Sequence, residues 1–240
     1  MYKRQKDSWL FKQLFANWKK FEITYILILL FLQVIVYIIA PDSFIGMISG
    51  VFGVLCLIYG MKGRKINFAF GLVQTLAMTL IAYQTHSWMS FVMGIFYVLS
   101  QPVGWFFWGQ DDAIHEFRPK TRRLIFLGAF IAWLVVWGID ALLNGQLPYF
   151  DALNLIIPLI AQVLYILKYK ENWSLWIVVN TAAVIYWTIL TVQFIMGVNT
   201  QGQLGMYLSQ VALQGALLFN AIYANRVWAS GEADNEGGTK

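Results

Sequence analysis

Hydrophobic residues run in long unbroken stretches along this chain, separated by short polar segments. Each stretch is close to the roughly 20 residues that an α-helix needs to cross the hydrocarbon core of a bilayer. We therefore predict eight transmembrane helices, over residues 21–40, 43–61, 66–84, 88–108, 124–143, 150–168, 172–196 and 204–226. The predicted fold class is an all-α integral membrane protein.

The two ends of the chain differ from the spans between them. Residues 1–20 are basic, with apolar residues at helical spacing, which predicts an amphipathic helix lying on the membrane surface. The apolar run that follows is too long for a cleavable signal peptide and lacks a small-residue cleavage site. Residues 227–240 are predicted to form a disordered tail, since their end is Gly-rich and acidic.

Composition supports a membrane protein. Of the 240 residues, 59% are hydrophobic and 12% are charged, and the mean hydropathy is +0.61. Soluble domains carry about a quarter charged residues. The single cysteine, Cys56, excludes an internal disulfide bond.

The basic residues indicate the orientation of the chain in the membrane. All 17 Lys and Arg residues fall on one side of the eight predicted spans, the side that also holds both termini. The opposite loops, at 41–42, 85–87, 144–149 and 198–203, contain none. The positive-inside rule therefore places both termini in the cytoplasm. The same bias accounts for the net charge of +5 and the pI near 9.2, so nucleic-acid binding is not required to explain them.

Two segments of the chain resemble each other and predict an internal duplication. Residues 65–74 can be laid on residues 171–180, which aligns three pairs of polar or aromatic residues: Asn67 with Trp173, Phe70 with Trp176, and Gln74 with Asn180. One span later the tripeptide Leu-Ser-Gln occurs in both segments, ending at Gln101 and at Gln210.

Two three-helix copies in the same orientation require one extra crossing between them. Spans 2–4 and 6–8 would be the copies, in a SWEET-like 3+1+3 core preceded by one additional helix. The predicted regions are an amphipathic segment (1–20), the additional helix (21–40), a first triple-helix bundle (43–108), a loop and linker helix (109–149), a second triple-helix bundle (150–226) and the tail (227–240). In such an architecture the substrate binds near the membrane midplane between the two bundles.

Polar and aromatic residues inside the predicted spans are the candidate binding residues, because polar groups within a membrane are costly and often functional. Trp173, Trp176 and Asn180 share one helical face, and Trp187 continues it. Seven further candidates are Phe70, Gln74, Gln101, Trp105, Tyr207, Gln210 and Gln214. The alternative role for the amides is hydrogen bonding between packed helices, and for the tryptophans it is anchoring at the membrane interface.

Charged residues are missing from the middle of every predicted span; the nearest, Glu22 and Asp140, lie near span ends. This favours uncoupled transport over a proton- or sodium-driven pump. The two histidines, His86 and His115, are far apart in predicted loops, so we expect no metal site. Catalytic residues and a cofactor are likewise not expected, because no nucleophile–base constellation is present.

The stretch ENWSLWIVVN at 171–180 resembles the PnuC family of bacterial vitamin transporters, together with the eight spans and the amide-bearing last helix. The resemblance covers nearly the whole chain, and its most specific part is Trp-x-x-Trp-x-x-x-Asn. It implies facilitated diffusion of nicotinamide riboside across the bacterial inner membrane, with cytoplasmic phosphorylation trapping the substrate, and a homotrimer. It also places Trp173, Trp176 and Asn180 at the substrate, with the glutamines of spans 4 and 8 as partners.

Alternatives remain open at this point. The substrate could be another vitamin, such as thiamine or riboflavin. A protein of another class, a membrane receptor or assembly subunit that does not transport, would use the aromatic stripe for helix packing. A membrane enzyme is the third alternative. Substrate flux into vesicles separates transport from binding alone, and covalent change in the substrate identifies an enzyme.

Overall fold

The structure is a computed structural model that describes residues 9–39, 44–109, 113–142, 148–198 and 204–233. Regular structure in these ranges is helical, apart from one isolated β-bridge between His115 and Tyr169. The helices are α1 (Trp9–Phe15), α2 (Lys20–Ile39), α3 (Phe44–Met61), α4 (Asn67–Gln84), α5 (Trp88–Phe107), α6 (Pro119–Leu142), α7 (Pro148–Ile166), α8 (Glu171–Ile195) and α9 (Leu204–Ala229).

Each predicted span lies on one helix, from α2 to α9. The bounds differ most at the start of α6, which begins at Pro119 rather than at residue 124. Within the described ranges, five helices are long and apolar enough to cross a membrane: Phe44–Met61, Ser90–Phe107, Pro119–Leu142, Pro148–Ile166 and Glu171–Ile195. The all-helical membrane fold is thus confirmed, while the count of eight crossings and the 3+1+3 arrangement remain predictions.

The chain divides into two compact units. The first consists of the described residues of Met1–Ile114 together with those of Val227–Lys240, and the second is His115–Arg226. In the first unit α4 packs against both α3 and α5. In the second unit α7 packs against both α6 and α8, so the predicted linker helix belongs to the same compact unit as α7 and α8.

Glycines bring the helices of the first unit close together. A Cβ atom placed on Gly53 of α3 would lie 3.1 Å from Nε2 of Gln74 in α4. One placed on Gly71 of α4 would overlap the side-chain oxygen of Gln101 in α5. Small residues at such contacts let helix backbones approach, which is how helices commonly pack in membranes.

The second unit has an apolar core built from α6, α7 and α8. Its buried members are Ala129, Ile157, Ala161, Leu164, Leu175 and Val179. Partly buried aromatic residues pack around them, among them Phe126, Trp133 and Trp176. Burial of this surface holds the three helices together within the unit.

The turns from α3 to α4 and from α7 to α8 share one backbone conformation. Each has a residue with positive φ at its centre, Gly63 at 69° and Lys168 at 60°. Each is closed by the same two hydrogen bonds, Gly63 N to Gly60 O and Arg64 N to Tyr59 O in the first turn, and Lys168 N to Tyr165 O and Tyr169 N to Leu164 O in the second. These pairs form a Schellman motif, which ends a helix by satisfying its last carbonyls.

The helices that follow the two turns also begin alike. Nδ2 of Asn67 donates to Arg64 O at 2.5 Å, and Nδ2 of Asn172 donates to Tyr169 O at 2.7 Å. Asn67 therefore corresponds to Asn172, and the alignment of Asn67 with Trp173 is wrong by one residue at this turn. The alignment matched aromatic and amide side chains along the helix, whereas the turn before the helix sets the true spacing.

The first turn is covered by the N-terminal segment. Arg64 is fully buried, and its guanidinium donates to the backbone carbonyls of Lys12 and Ala16. Lys62 is also fully buried and forms an ion pair with Glu22, with 2.7 Å between Nζ and Oε2. Two cations that the sequence assigns to a loop are therefore enclosed by protein.

Helix α1 contributes a buried side chain to this cover. The Oε1 atom of Gln13 accepts a hydrogen bond from the backbone N of Ile66 at 3.1 Å, whereas Trp9, Leu10 and Phe15 are exposed. Residues 1–8 of the predicted amphipathic segment lie outside the described residues.

The C-terminal end of α9 contacts the same turn. Helix α9 continues to Ala229, beyond residue 227, where the sequence places the start of the tail. Trp228 is buried, and its indole N donates to Met61 O at 3.0 Å. Glu232 forms an ion pair with Lys19 at 2.5 Å. Residues 234–240 lie outside the described part of the chain.

The second turn is covered by residues 115–117. The backbone N of His115 donates to Lys168 O at 2.9 Å, and the N of Lys170 donates to His115 O at 3.0 Å. The ring of Phe117 stacks on that of Tyr169, with 3.8 Å between centroids. The backbone N of Phe117 also donates to Oε1 of Glu171 at 3.1 Å, which fixes the start of α8.

Candidate functional site

The candidate face predicted on span 7 lies at the start of α8. Trp173 and Asn180 are buried, with 4% and 7% of their surface exposed, whereas Trp176 is half-buried. Because α8 begins at Glu171, the three residues lie within its first three turns. One stretch of helix therefore carries two indoles and an amide.

Both indoles also take part in packing within the second unit. The ring of Trp173 meets the ring of Tyr165 edge-on, with 5.9 Å between centroids. Trp176 packs against the apolar core of α6, α7 and α8. Packing therefore involves nearly all of the Trp173 ring and part of the Trp176 ring. Trp176 keeps exposed surface that a ligand can contact.

An aromatic cluster joins the far half of α8 to α9. The half-buried Trp187 lies 6.2 Å from the buried Tyr207, measured between ring centroids. Phe194 contacts the same tyrosine at 5.5 Å. The structure therefore brings together two of the predicted residues, Trp187 and Tyr207.

The two glutamines predicted on α9, Gln210 and Gln214, are half-buried. They lie one and two turns beyond Tyr207 along the helix. Partial exposure leaves their amides accessible to a polar ligand.

The predicted residues of the first unit are engaged in packing. Gln101 is 5% exposed, and its Nε2 donates to Tyr97 O at 3.1 Å within its own helix. The ring of Phe70 contacts those of Phe52 and Tyr59. Gln74 approaches Gly53 of α3. These contacts favour the helix-packing alternative for all three residues.

Trp105 lies among residues of the N-terminal segment and the first turn. Its ring meets that of Trp9 edge-on at 5.8 Å. The Nζ atom of Lys65 lies 4.8 Å from the centroid of the Trp105 ring, so a cation–π contact within the protein already uses this indole.

The spacing set by the two turns determines which residues of α4 correspond to the candidate face of α8. When it is continued along α4 and α8, Trp173 corresponds to Phe68, Trp176 to Gly71, and Asn180 to Thr75. The first unit thus has no amide at the position of Asn180 and no indole at that of Trp176. The indole and the amide at these two positions are therefore present in α8 and not in α4.

Asn220 is a buried polar residue that the sequence reasoning missed. It lies in α9 and has no exposed surface. The criterion that selected Gln210 and Gln214, a polar side chain inside a predicted span, applies equally to Asn220. The signal was therefore present in the sequence.

All eleven predicted binding residues are uncharged. The indole faces present negative potential, and the amides and the tyrosine offer hydrogen-bond donors and acceptors. In the described part of the chain, no three His, Cys, Asp or Glu side chains come close enough together to hold a metal ion. These side chains are therefore suited to recognise a flat molecule that is polar or cationic.

Comparison with known proteins identifies relatives over most of the chain. A family model described as nicotinamide mononucleotide transporter matches residues 43–230. The nicotinamide riboside transporter PnuC of Neisseria mucosa is 28% identical over 194 residues, covering 76% of this chain and 74% of that protein. PnuC of Haemophilus influenzae is 29% identical over 183 residues, covering 72% and 80% of the two chains.

Comparison with solved structures identifies the same kind of transporter. The crystal structure of the vitamin B3 transporter PnuC superposes with a TM-score of 0.74 at 26% sequence identity, covering 92% of this chain and 96% of that chain. The family match spans well over half of the sequence and includes the whole of α8. The chain therefore belongs to the nicotinamide mononucleotide transporter family, as the resemblance to PnuC predicts.

Proposed function

We propose that this protein mediates the uptake of nicotinamide riboside by facilitated diffusion. Membership of the transporter family and the names of the PnuC relatives support the substrate class. The observation that carries the proposal is the face of α8, where Trp173, Trp176 and Asn180 combine aromatic surface with an amide.

The chemistry of this face suits the substrate. The nicotinamide ring of the riboside is flat and carries a fixed positive charge. An indole face attracts such a cation by about 0.5–2 kcal/mol. Trp176 and Trp187, both half-buried, are the indoles with surface left for this contact. Asn180, Tyr207, Gln210 and Gln214 supply neutral hydrogen-bonding groups for the ribose hydroxyls and the carboxamide.

The neutrality of the candidate residues favours the riboside over its phosphorylated form. A phosphate group adds negative charge that none of these side chains balances, and moving such charge through an apolar medium is costly. Phosphorylation in the cytoplasm would therefore trap the substrate after entry.

The position of the charged residues supports uncoupled transport. Glu22 near the end of α2 is already paired with Lys62, and the sequence has no Asp, Glu, Lys or Arg at the middle of a predicted span. A pump driven by protons or sodium usually needs such a group. We place the protein in the inner membrane of a bacterium, with both termini in the cytoplasm, as a homotrimer.

Uptake by proteoliposomes that contain the purified protein tests the proposal. Labelled nicotinamide riboside should enter without an imposed ion gradient and stop at equal inner and outer concentrations. Nicotinamide mononucleotide should enter far more slowly, and Trp176→Ala should reduce riboside uptake about tenfold.

Other outcomes would change the proposed substrate, the proposed mechanism or the proposed class of protein. Entry of thiamine or riboflavin instead of the riboside would retain the transporter and change its substrate. Accumulation above equilibrium under a proton or sodium gradient would overturn uncoupled transport. Binding without flux would indicate a receptor.

A further inference from the structure

Helix α1 is short and depends on other segments to hold it in place. It has 7 residues, and isolated helices below about 12–15 residues are marginal in water. The buried guanidinium of Arg64 donates to the backbone carbonyls of Lys12 and Ala16. The hydroxyl of Tyr59 donates to the carbonyl of Leu14 at 3.1 Å. These donors satisfy carbonyls near the C-terminal end of the helix, where partners within the helix are missing. The first unit therefore fixes α1 against the turn from α3 to α4.

The contacts of α1 place it at the level where the neighbouring helices meet the membrane boundary. Tyr59 lies in the last turn of α3, which ends at Met61 and is long and apolar enough to cross a membrane. Lys62, directly after α3, pairs with Glu22 in the first turn of α2. Because α1 contacts Tyr59 and the turn that follows it, α1 lies beside the end of α3 and the start of α2. The lipid headgroups surround the ends of spanning helices at this level.

The side of α1 that faces away from the turn is apolar. Gln13 marks the opposite side, since its Oε1 accepts a hydrogen bond from the backbone N of Ile66. At 3.6 residues per turn, the outer face of α1 consists of Leu10, Phe11, Leu14 and Phe15. The rings of Phe11 and Phe15 contact each other. Leu10 and Phe15 are 52% and 62% exposed, so the described residues of the first unit leave much of this face uncovered.

Exposed apolar residues and lysines flank the outer face of α1. Phe21, in the first turn of α2, is 49% exposed, and Leu27 further along α2 is 59% exposed. Lys12 lies three residues before Phe15 and is therefore its neighbour on the surface of α1. Lys20 is the first residue of α2 and is exposed. An uncovered apolar surface thus has positive charge at its edges.

We propose that the outer face of α1 docks into the cytoplasmic leaflet of the bilayer and that Lys12 and Lys20 bind the phosphates of anionic lipids. The apolar side chains of an interfacial helix enter the boundary between headgroups and acyl chains, and anionic lipids attract the lysines beside them. A lysine keeps its stem in the apolar layer while its ammonium reaches the headgroups. The sequence predicts only that residues 1–20 lie on the membrane surface, whereas the contacts of α1 identify the side chains that face the lipid. This assignment uses the orientation of the chain proposed above and is independent of the substrate.

The depth of residue 15 in the bilayer tests the docking. A nitroxide label is attached to Phe15→Cys in a Cys56→Ala background, in vesicles of phosphatidylcholine and phosphatidylglycerol. Collisions with oxygen, which concentrates among the acyl chains, should exceed those with a water-soluble nickel complex. The same label on Glu116→Cys, an exposed position beside the second turn, should give the reverse order. An excess of nickel collisions at residue 15 would overturn the inference, and so would protection from both reagents, which indicates cover by protein.

Lipid selectivity tests the role of the two lysines. Melting temperature in detergent is measured with added phosphatidylcholine or phosphatidylglycerol, because a lipid that binds the folded state raises it. Phosphatidylglycerol should raise the melting temperature of the parent more than phosphatidylcholine does. Lys12→Gln/Lys20→Gln should reduce that difference at least about twofold.

Lys120→Gln/Arg123→Gln in α6 is the matched control. It makes the same change in net charge at exposed residues and should keep the parent difference. The inference would be overturned by a parent that does not distinguish the two lipids, by an unchanged difference in Lys12→Gln/Lys20→Gln, or by an equal reduction in both double variants.

Discussion

The turn from α3 to α4 and the turn from α7 to α8 have the same backbone but different covers. The first encloses two cations, Lys62 and Arg64, beneath the N-terminal segment. The second is covered by residues 115–117, through backbone bonds and a stacked aromatic pair. Backbone hydrogen bonds fix the conformation of both turns. The side chains on each turn instead suit the segment that packs against it.

The helices that follow the two turns also differ in the side chains they carry. In α4 the positions equivalent to Trp176 and Asn180 hold Gly71 and Thr75, and Gly71 receives the side chain of Gln101. In α8 the same positions carry the indole and the amide of the proposed site. Shared backbone geometry therefore does not imply a shared binding surface.

Replacing Lys62 by leucine, the residue at the equivalent position 167, should have the largest effect on stability. Glu22 would lose the ammonium beside it while remaining buried, and breaking one partner of a buried ion pair costs about 3–5 kcal/mol. Thermal unfolding in detergent measures the loss. The double variant Lys62→Leu/Glu22→Leu should recover most of it, and a double variant as unstable as the single one would contradict this account.

Gly63→Ala should destabilise the first turn by about 1–2 kcal/mol, because an L-residue is strained in the left-handed conformation. A Cβ atom there would also lie 3.0 Å from the Cβ of Ala233. Gly128→Ala in α6, where no atom lies within 4 Å, is the control and should be neutral or stabilising. Equal melting temperatures for the two variants would show that φ does not matter at Gly63.

Asn67→Ala and Asn172→Ala test whether the two turns are energetically alike. Each removes the hydrogen bond that a fully buried side chain donates to the backbone carbonyl of the preceding turn. We expect similar losses of about 1 kcal/mol in thermal unfolding. A difference larger than the loss itself would show that the covers, rather than the turns, determine the role of these asparagines.

The smallest effect is expected at Glu116 beside the second turn. The pKa of Glu116 is lowered, first by the hydrogen bond from Lys170 and also by the charges of Lys170 and Arg122. A lowered pKa stabilises the folded state above the ordinary carboxyl pKa, and the effect is lost as pH falls through the lowered value. Glu116→Gln should therefore melt slightly below the parent at pH 7, and the gap should close in acid. A gap that widens in acid would contradict this sign.

Hydropathy predicted the helices well, because each apolar span is long and the polar segments between spans are short. The sequence also located the α8 face, since indole and amide spacing on one helix is local information. The burial of Lys62 and Arg64 could not be predicted from hydropathy or from spacing along one helix. It depends on α1 packing against a turn some 50 residues away.

The alignment of residues 65–74 with residues 171–180 is off by one residue for a related reason. Gly63 and Lys168, which determine the two turns, have different side chains but similar positive φ angles, so residue identity conceals their equivalence. Gln101 was selected as a polar residue in a span, but only its contact with Gly71 and its bond to Tyr97 show that it packs.

Calorimetric binding of nicotinamide riboside to the parent, to Asn180→Thr and to Gln74→Ala tests whether the α8 face binds the substrate. The first variant installs the residue found at the equivalent position 75, and the second removes an amide assigned to packing. We expect Asn180→Thr to weaken binding at least about tenfold and Gln74→Ala to bind within about threefold of the parent. Parent-like affinity in Asn180→Thr, with the fold intact, would contradict it.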